Sequence, residues 1–258
     1  MALTIAFFVT AVIYGSVGFG GGSTYSALLL SSAVPVAAIP FISLPCNIIV
    51  SGTGFLRMRK KVPGTRMLRL LLVSMPAALV GGTVPVTRDL FQFLLAVVLL
   101  LAGILSVLRG LRAGEFRTVG GYSDTVGSAT LTGPVGRQVT LAGGIIGFVS
   151  GIVGIGGGIL LSPVLQREQS VSPGEVTAMS ATFILFNSLS GLTGKILRAL
   201  VGGTGIPWDY RTLILAGAVV SGGVIGSTVA VRGLPAQTLR VLTGALLVLV
   251  AVRSLLIN

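Results

Sequence analysis

The residues best placed to do chemistry in this chain are backbone donors and neutral polar side chains. "GSVGFGGGS" at residues 15–23 puts five glycines into nine positions of an apolar stretch, and "GIVGIGGGI" at 151–159 repeats the pattern. Each glycine weakens a helix by roughly 1 kcal/mol relative to alanine, so both runs are expected to break their helices. Where a helix restarts, at about 22–32 and 158–165, its first N–H groups are free and carry partial positive charge. Two such starts facing each other would form an anion site made of backbone. Glycine suits such turns because it accepts positive φ and lets a ligand approach the chain. The binding candidates are therefore Gly20, Gly21, Gly22, Gly156, Gly157 and Gly158, with Ser23 and Thr24 beside the first restart. Ser23 and Thr24, like Ser26 and Ser162, have hydroxyls near the new half-helices and are weaker candidates.

Asn47 and Asn187 join this set. Each lies in the middle of the next apolar segment, a few residues before Ser-Gly, where an amide is costly unless it meets a partner or ligand. They could donate to substrate oxygens or hydrogen-bond the frayed glycine backbone. Small-residue spacing offers another use for glycine, close helix packing, and that is the preferred reading for Gly143 and Gly147. Three consecutive glycines destabilise a helix without adding a second interface, so packing explains Gly20 to Gly22 and Gly156 to Gly158 poorly.

Other chemistries lack their residues. The chain has no histidine and one cysteine, Cys46, which rules out an internal disulfide or CxxC site and removes the commonest metal ligand. All six acids fall in or beside predicted loops, so no carboxylate is expected at the midplane to relay a proton or bind Na⁺. GxGxxG fails at Ser23, and no GxxxxGK[ST] occurs. With no nucleophile–base pair, no enzyme activity and no cofactor are expected. Lys195 is the deepest base; it could lend positive potential to an anion or snorkel to the interface.

The elements that must position these residues are membrane helices. Of 258 residues, 53% are hydrophobic and 9% charged, with mean hydropathy +1.00; a soluble domain is far less apolar. "LFQFLLAVVLLLAGILSVL" at 90–108 has no charge, and about 19 residues suffice to cross a hydrocarbon core of roughly 30 Å. "MALTIAFFVTAVIYG" lacks the basic start of a signal peptide, so it is expected to remain part of the fold. Net charge +12 comes from Lys and Arg between apolar runs, the distribution of an orientation signal. "RMRKKVPGTRMLR" at 57–69 suits anionic lipid headgroups, and no nucleic-acid partner is expected.

The expected fold is all-α, a polytopic helical membrane protein of two four-segment repeats with glycine-broken first helices. Apolar segments fall at about 2–18 with 23–33, 37–56, 67–86, 90–108, 139–153 with 159–166, 176–200, 211–231 and 237–257. The first repeat is read as 1–110, a polar linker as 111–138, and the second repeat as 139–258. The two glycine motifs share six identities in eight positions at an offset of 136; "NIIVSG" answers "NSLSG", and "PAALVGGTV" answers "GAVVSGGVIGSTV". If all eight blocks span, basic residues divide 14 against 4; if each broken block enters and leaves on one side, they divide 13 against 5 and the repeats are inverted. Inversion is preferred because broken helices meeting at the midplane are a recurring transporter design.

The paired glycine motifs, the Asn in each following segment, the length and the duplicated four-segment unit together resemble the TauE/SafE family of sulfite exporters, also called the 4-toluene sulfonate uptake permease family. The resemblance spans essentially the whole chain. It implies a carrier for a small sulfur-containing oxyanion, sulfite or an organosulfonate, in a bacterial inner membrane, with lipid contacts and scope for a homo-oligomer. An anion channel, or a structural subunit using glycine only for packing, are the alternative expectations.

Overall fold

In the computed structural model the described residues are 1–32, 34–112, 134–165, 171–207 and 210–229. Among them the helices are α1 (Ala2–Val17), α2 (Gly22–Ser31), α3 (Ile39–Met58), α4 (Gly64–Thr83), α5 (Arg88–Arg112), α6 (Pro134–Val153), α7 (Gly158–Leu165), α8 (Pro173–Val201) and α9 (Tyr210–Val229). A short 3-10 turn, Arg59–Lys61, joins α3 to α4. The apolar segment at 237–257 and most of the span read as linker lie outside the described residues; α6 begins at Pro134, inside that span.

Five helices, α3, α4, α5, α8 and α9, are long and apolar enough to cross a membrane, and α1 and α6 are shorter apolar helices. Their outward faces are apolar too. On α5, Leu90, Phe93, Val97, Leu101 and Ile104 recur every three or four residues and are exposed, while Phe91, Leu95, Leu99 and Ala102 face inward. A helix apolar on both faces, with its polar residues turned to the protein interior, belongs in lipid. Inside lie Thr10, Ser23, Ser26, Ser43, Asn47, Ser74, Ser150, Ser180, Asn187 and Ser188, all buried.

The first block breaks where the glycines stand. α1 ends at Gly18 with φ 79°, Phe19 N–H donating to the Tyr14 carbonyl at 2.9 Å and Gly18 N–H to that of Gly15 at 3.4 Å, the two bonds of a Schellman end. α6 ends at Gly154, also φ 79°, with its N–H on the Ser150 carbonyl at 2.8 Å. α2 then runs back beside α1. Tyr25 stacks on Phe7 with ring centroids 4.7 Å apart, Thr24 Oγ1 lies 2.9 Å from the Tyr14 hydroxyl, and a methyl at Gly21 would lie 3.3 Å from Thr10 Cγ2. α7 returns toward α6 in the same way: a methyl at Gly157 would lie 2.7 Å from Ile146 Cγ2 and 3.3 Å from Ser150 Cβ.

Close glycine contacts set the directions of the helices. Gly222 and Gly226 of α9 press on the carbonyls of Phe8 and Val12, so α1 and α9 run parallel. Gly147 and Gly151 of α6 press on the carbonyls of Ser74 and Ala78, so α4 and α6 run parallel. α3 and α8 run antiparallel, with Gly54 against Ala181 and Gly191 against Leu44, and Gly174 at the start of α8 sits beside Lys61. One end of the molecule therefore holds the Arg59–Lys61 turn and the starts of α4, α6 and α8. The other holds the end of α4 and the starts of α1, α3 and α9. The hairpins α1–α2 and α6–α7 enter from opposite ends. Stripes of small residues make such backbone-to-backbone approach possible where lipid supplies no hydrophobic drive for association.

Candidate functional site

Both glycine turns meet at the crossing of α3 and α8. A side-chain carbon at Gly20 or Gly22 would run into the Asn47 amide, and one at Gly156 would come within 3.2 Å of Asn47 Nδ2 and 2.8 Å of Ser188 Oγ. Ile184 touches both turns: its methyl groups abut Gly20, Gly156 and Gly158. Gly21 and Gly157 have φ of 79° and 71°, a region that L-residues with a Cβ enter at a cost of about 1–2 kcal/mol, which is why glycine precedes each restart. The first ladder bond of α2 is Tyr25 N–H to the Gly21 carbonyl at 3.0 Å; that of α7 is Leu161 N–H to the Gly157 carbonyl at 3.0 Å. The N–H groups before them lie at the positive ends of two short helices.

The two asparagines, equivalent in sequence, differ in bonding. Asn187 Nδ2 donates to Ser74 Oγ at 3.1 Å and to the Phe183 carbonyl at 2.9 Å, tying α8 to α4 and to its own preceding turn. Asn47 is fully buried, and neither its Nδ2 nor its Oδ1 has a hydrogen-bond partner. It does not cap the frayed glycine backbone. Burying an amide without a partner costs about 1–3 kcal/mol, a penalty that a ligand with oxygen acceptors would remove.

Other buried polar atoms also lack a partner. Ser23 and Ser26 of α2, Ser150 of α6 and Ser180 and Ser188 of α8 have buried hydroxyls without a partner, as does the Asn187 Oδ1. Thr24 differs, since its hydroxyl is shared with Tyr14. Ser43 is committed as well, donating to the Gly154 carbonyl at 2.9 Å. Ser150, Ser180, Ser188 and Ile184 were not singled out from sequence. Ser150 directly precedes the second glycine motif and Ser188 directly follows Asn187, so proximity to a motif inside an apolar segment was their signal; Ile184 had none.

Among the described residues the only acids are Asp89 and Glu175, at the first turns of α5 and α8, and neither is near this crossing. Glu175 is occupied in a capping box with Ser172, its Oε2 accepting the Ser172 N–H at 2.8 Å. Among the described residues the crossing thus presents amide, hydroxyl and peptide donors with no carboxylate, a set that can hold an anion by hydrogen bonds and partial charge.

A family model described as Sulfite exporter TauE/SafE matches residues 3–254. A probable membrane transporter protein of Sinorhizobium fredii is 30% identical over 257 residues, covering 99% of this chain and 98% of the relative. No solved structure matches the chain.

Proposed function

The chain belongs to the TauE/SafE sulfite exporter family and is a multi-pass membrane transporter, not an enzyme; on that premise we propose that it is a secondary carrier for a small sulfur oxyanion, sulfite or a compact organosulfonate, in a bacterial inner membrane. The substrate sits between the glycine turns, against Gly20 to Gly22, Ser23 and Asn47 on one side and Gly156 to Gly158 on the other. The observation that carries this reading is Asn47, a fully buried amide with both polar atoms unpartnered, set against both turns. Its two N–H donors, with the hydroxyls of Ser23, Ser150 and Ser188 and the first peptides of α2 and α7, suit an anion whose oxygens are strong acceptors. Asn187 serves as a positioning residue that holds α8 on α4. Thr24 steadies the α1–α2 hairpin through Tyr14.

In this reading the two halves are inverted repeats. Support comes from the partners: α1 lies on α9 while α6 lies on α4, each hairpin on the fourth helix of the other half. Rocking of one half against the other about the α3–α8 crossing then exposes the turns to each side alternately.

The test is sulfite flux into liposomes containing the purified protein. A carrier gives saturable flux that rises when sulfite is present on the far side. Saturation without that stimulation, or linear flux, indicates a channel; no flux for any sulfur oxyanion in a panel refutes the substrate assignment.

A further inference from the structure

Three residues before each of the paired asparagines stands an aliphatic side chain, Leu44 on α3 and Ile184 on α8, and the fold uses the two differently. Leu44 packs on α8, its Cδ1 3.8 Å from the position of a Cβ at Gly191. Ile184 is turned to the glycine turns instead. A Cβ at Gly20 would meet its Cγ2 at 2.8 Å and one at Gly156 would meet the same carbon at 2.7 Å, while its Cγ1 and Cδ1 close on Gly158. One methyl group therefore touches both turns, and it does so beside the Asn47 amide. The Cβ position of Gly156 is also 3.2 Å from Asn47 Nδ2, and that of Gly20 falls on Asn47 Oδ1. Ile184 is 1% exposed, and a β-branched side chain in a helix strongly prefers one χ1 rotamer, so the methyl has little freedom to turn aside.

The neighbours of Ile184 on its own helix make it an exception. Residues four apart share a helix face. Four before it is Ser180 and four after it is Ser188, both with buried hydroxyls that lack a partner. Ser188 Oγ is 2.8 Å from the Cβ position of Gly156, and the Ser180 carbonyl is 3.1 Å from that of Gly158. The face of α8 toward the second turn thus runs hydroxyl, aliphatic, hydroxyl. A methyl offers no hydrogen bond. An oxygen pressed against it in a buried site gives up its bonds to water for nothing, and such unpaired atoms are how sites reject an analogue that is wrong by one polar group.

On the premise that the anion sits between the turns, we propose that Ile184 is a specificity-determining residue that separates oxyanions by their fourth substituent. Three oxygens of the anion take donors from Asn47, the serines and the first peptides of α2 and α7, and the fourth corner of the tetrahedron lies against the Ile184 methyl. A lone pair, as on sulfite, or a soft sulfur, as on thiosulfate, fits there without loss. A fourth oxygen, as on sulfate or phosphate, is left without a donor, so these anions are turned away although the remaining donors suit them. Specificity here comes from a group that withholds a contact.

The test is the initial rate of uptake of sulfite, thiosulfate and sulfate into liposomes containing the purified protein, normalised to folded protein. Sulfate and thiosulfate share their charge and tetrahedral shape and differ in the fourth atom alone. In the wild-type protein thiosulfate is expected to travel with sulfite, and sulfate more slowly by about tenfold or more. Ile184→Thr and Ile184→Val share one shape and differ by a hydroxyl; the threonine is expected to raise the sulfate-to-sulfite ratio by about tenfold or more over the valine. A helical threonine can spend its proton on the carbonyl four residues back, here that of Ser180. Ile184→Asn against Ile184→Leu therefore supplies a second matched pair with the same expectation, and a rise within either pair supports the proposal. A residue that only packs would shift the melting temperature and both fluxes together and leave the ratio fixed. Equal ratios within both pairs, or a wild-type protein that carries sulfate as readily as thiosulfate, overturn the proposal and leave a sulfite carrier standing. Absence of sulfite flux in the wild type refutes the carrier itself, and the role of Ile184 falls with it.

Discussion

Asn47 and Asn187 offer a comparison in which the same side chain is removed from equivalent sequence positions with different bonding. Truncation to alanine deletes the same atoms in both, so the lost volume is common and the difference isolates hydrogen bonding. Asn187→Ala removes bonds of 3.1 Å to Ser74 Oγ and 2.9 Å to the Phe183 carbonyl. Side-chain hydrogen bonds within membranes are worth about 0.6 kcal/mol on average and about 1.7 at most, so this pair contributes roughly 1–3 kcal/mol. At roughly 2–4 °C per kcal/mol, the loss appears as a fall of several degrees in thermal stability. Asn47→Ala removes no bond and relieves an unpartnered amide, so it should melt clearly above Asn187→Ala. Transport should rank the two the other way. A hydrogen bond to a charged substrate is worth about 1.5–3 kcal/mol, which corresponds to a roughly 10- to 150-fold loss of kcat/KM for Asn47→Ala. Melting by size-exclusion in detergent and initial sulfite flux in liposomes, normalised to folded protein, measure the two effects. If Asn47→Ala is as destabilised as Asn187→Ala and keeps its flux, Asn47 is a packing residue and the site assignment fails.

The glycines divide into two groups with different expected phenotypes. Gly21→Ala and Gly157→Ala force an L-residue into the left-handed region, at about 1–2 kcal/mol, and should yield protein that inserts but carries little flux. Gly151→Ala places a methyl on the Ala78 carbonyl, where only a shift of α6 from α4 can relieve it, so loss of folded protein is expected on expression blots. Gly217 is exposed with nothing within 4 Å, so Gly217→Ala should leave flux unchanged and add up to about 1 kcal/mol of stability. With Cys46→Ser as background, single cysteines in the Arg59–Lys61 turn and at Thr204 should react with an impermeant thiol reagent from opposite sides of the membrane; labelling from the same side contradicts the inverted arrangement.

Much of the element pattern was legible in the chain. Apolar length marked the spanning helices, and the restarts expected at about 22 and 158 fall at Gly22 and Gly158, because three consecutive glycines leave a helix few alternatives. Boundaries shifted by a few residues where no strong breaker stands: α4 begins at Gly64, ahead of the expected 67, and α6 reaches back to Pro134. These ends depend on caps and neighbours as much as on hydropathy.

What the sequence by itself determined was the kind of molecule and the features the proposed site draws on: apolar helices, two glycine breaks, an amide after each, and acids in or beside the expected loops. These follow from local rules, namely the cost of charge in lipid and of glycine in a helix. Which of those residues stand unbonded was decided only by the tertiary structure. Asn47 and Asn187 are indistinguishable along the chain, yet α4 brings Ser74 to one of them and Ile184 sits beside the turns that hold the other. Lys195 likewise reads as a helix-end cation, and only the tertiary structure sets it in the lining of a cavity with the start of α3 and the end of α4. Hydrogen bonds and cavities belong to contacts between residues over a hundred positions apart, and neither composition nor spacing carries that information.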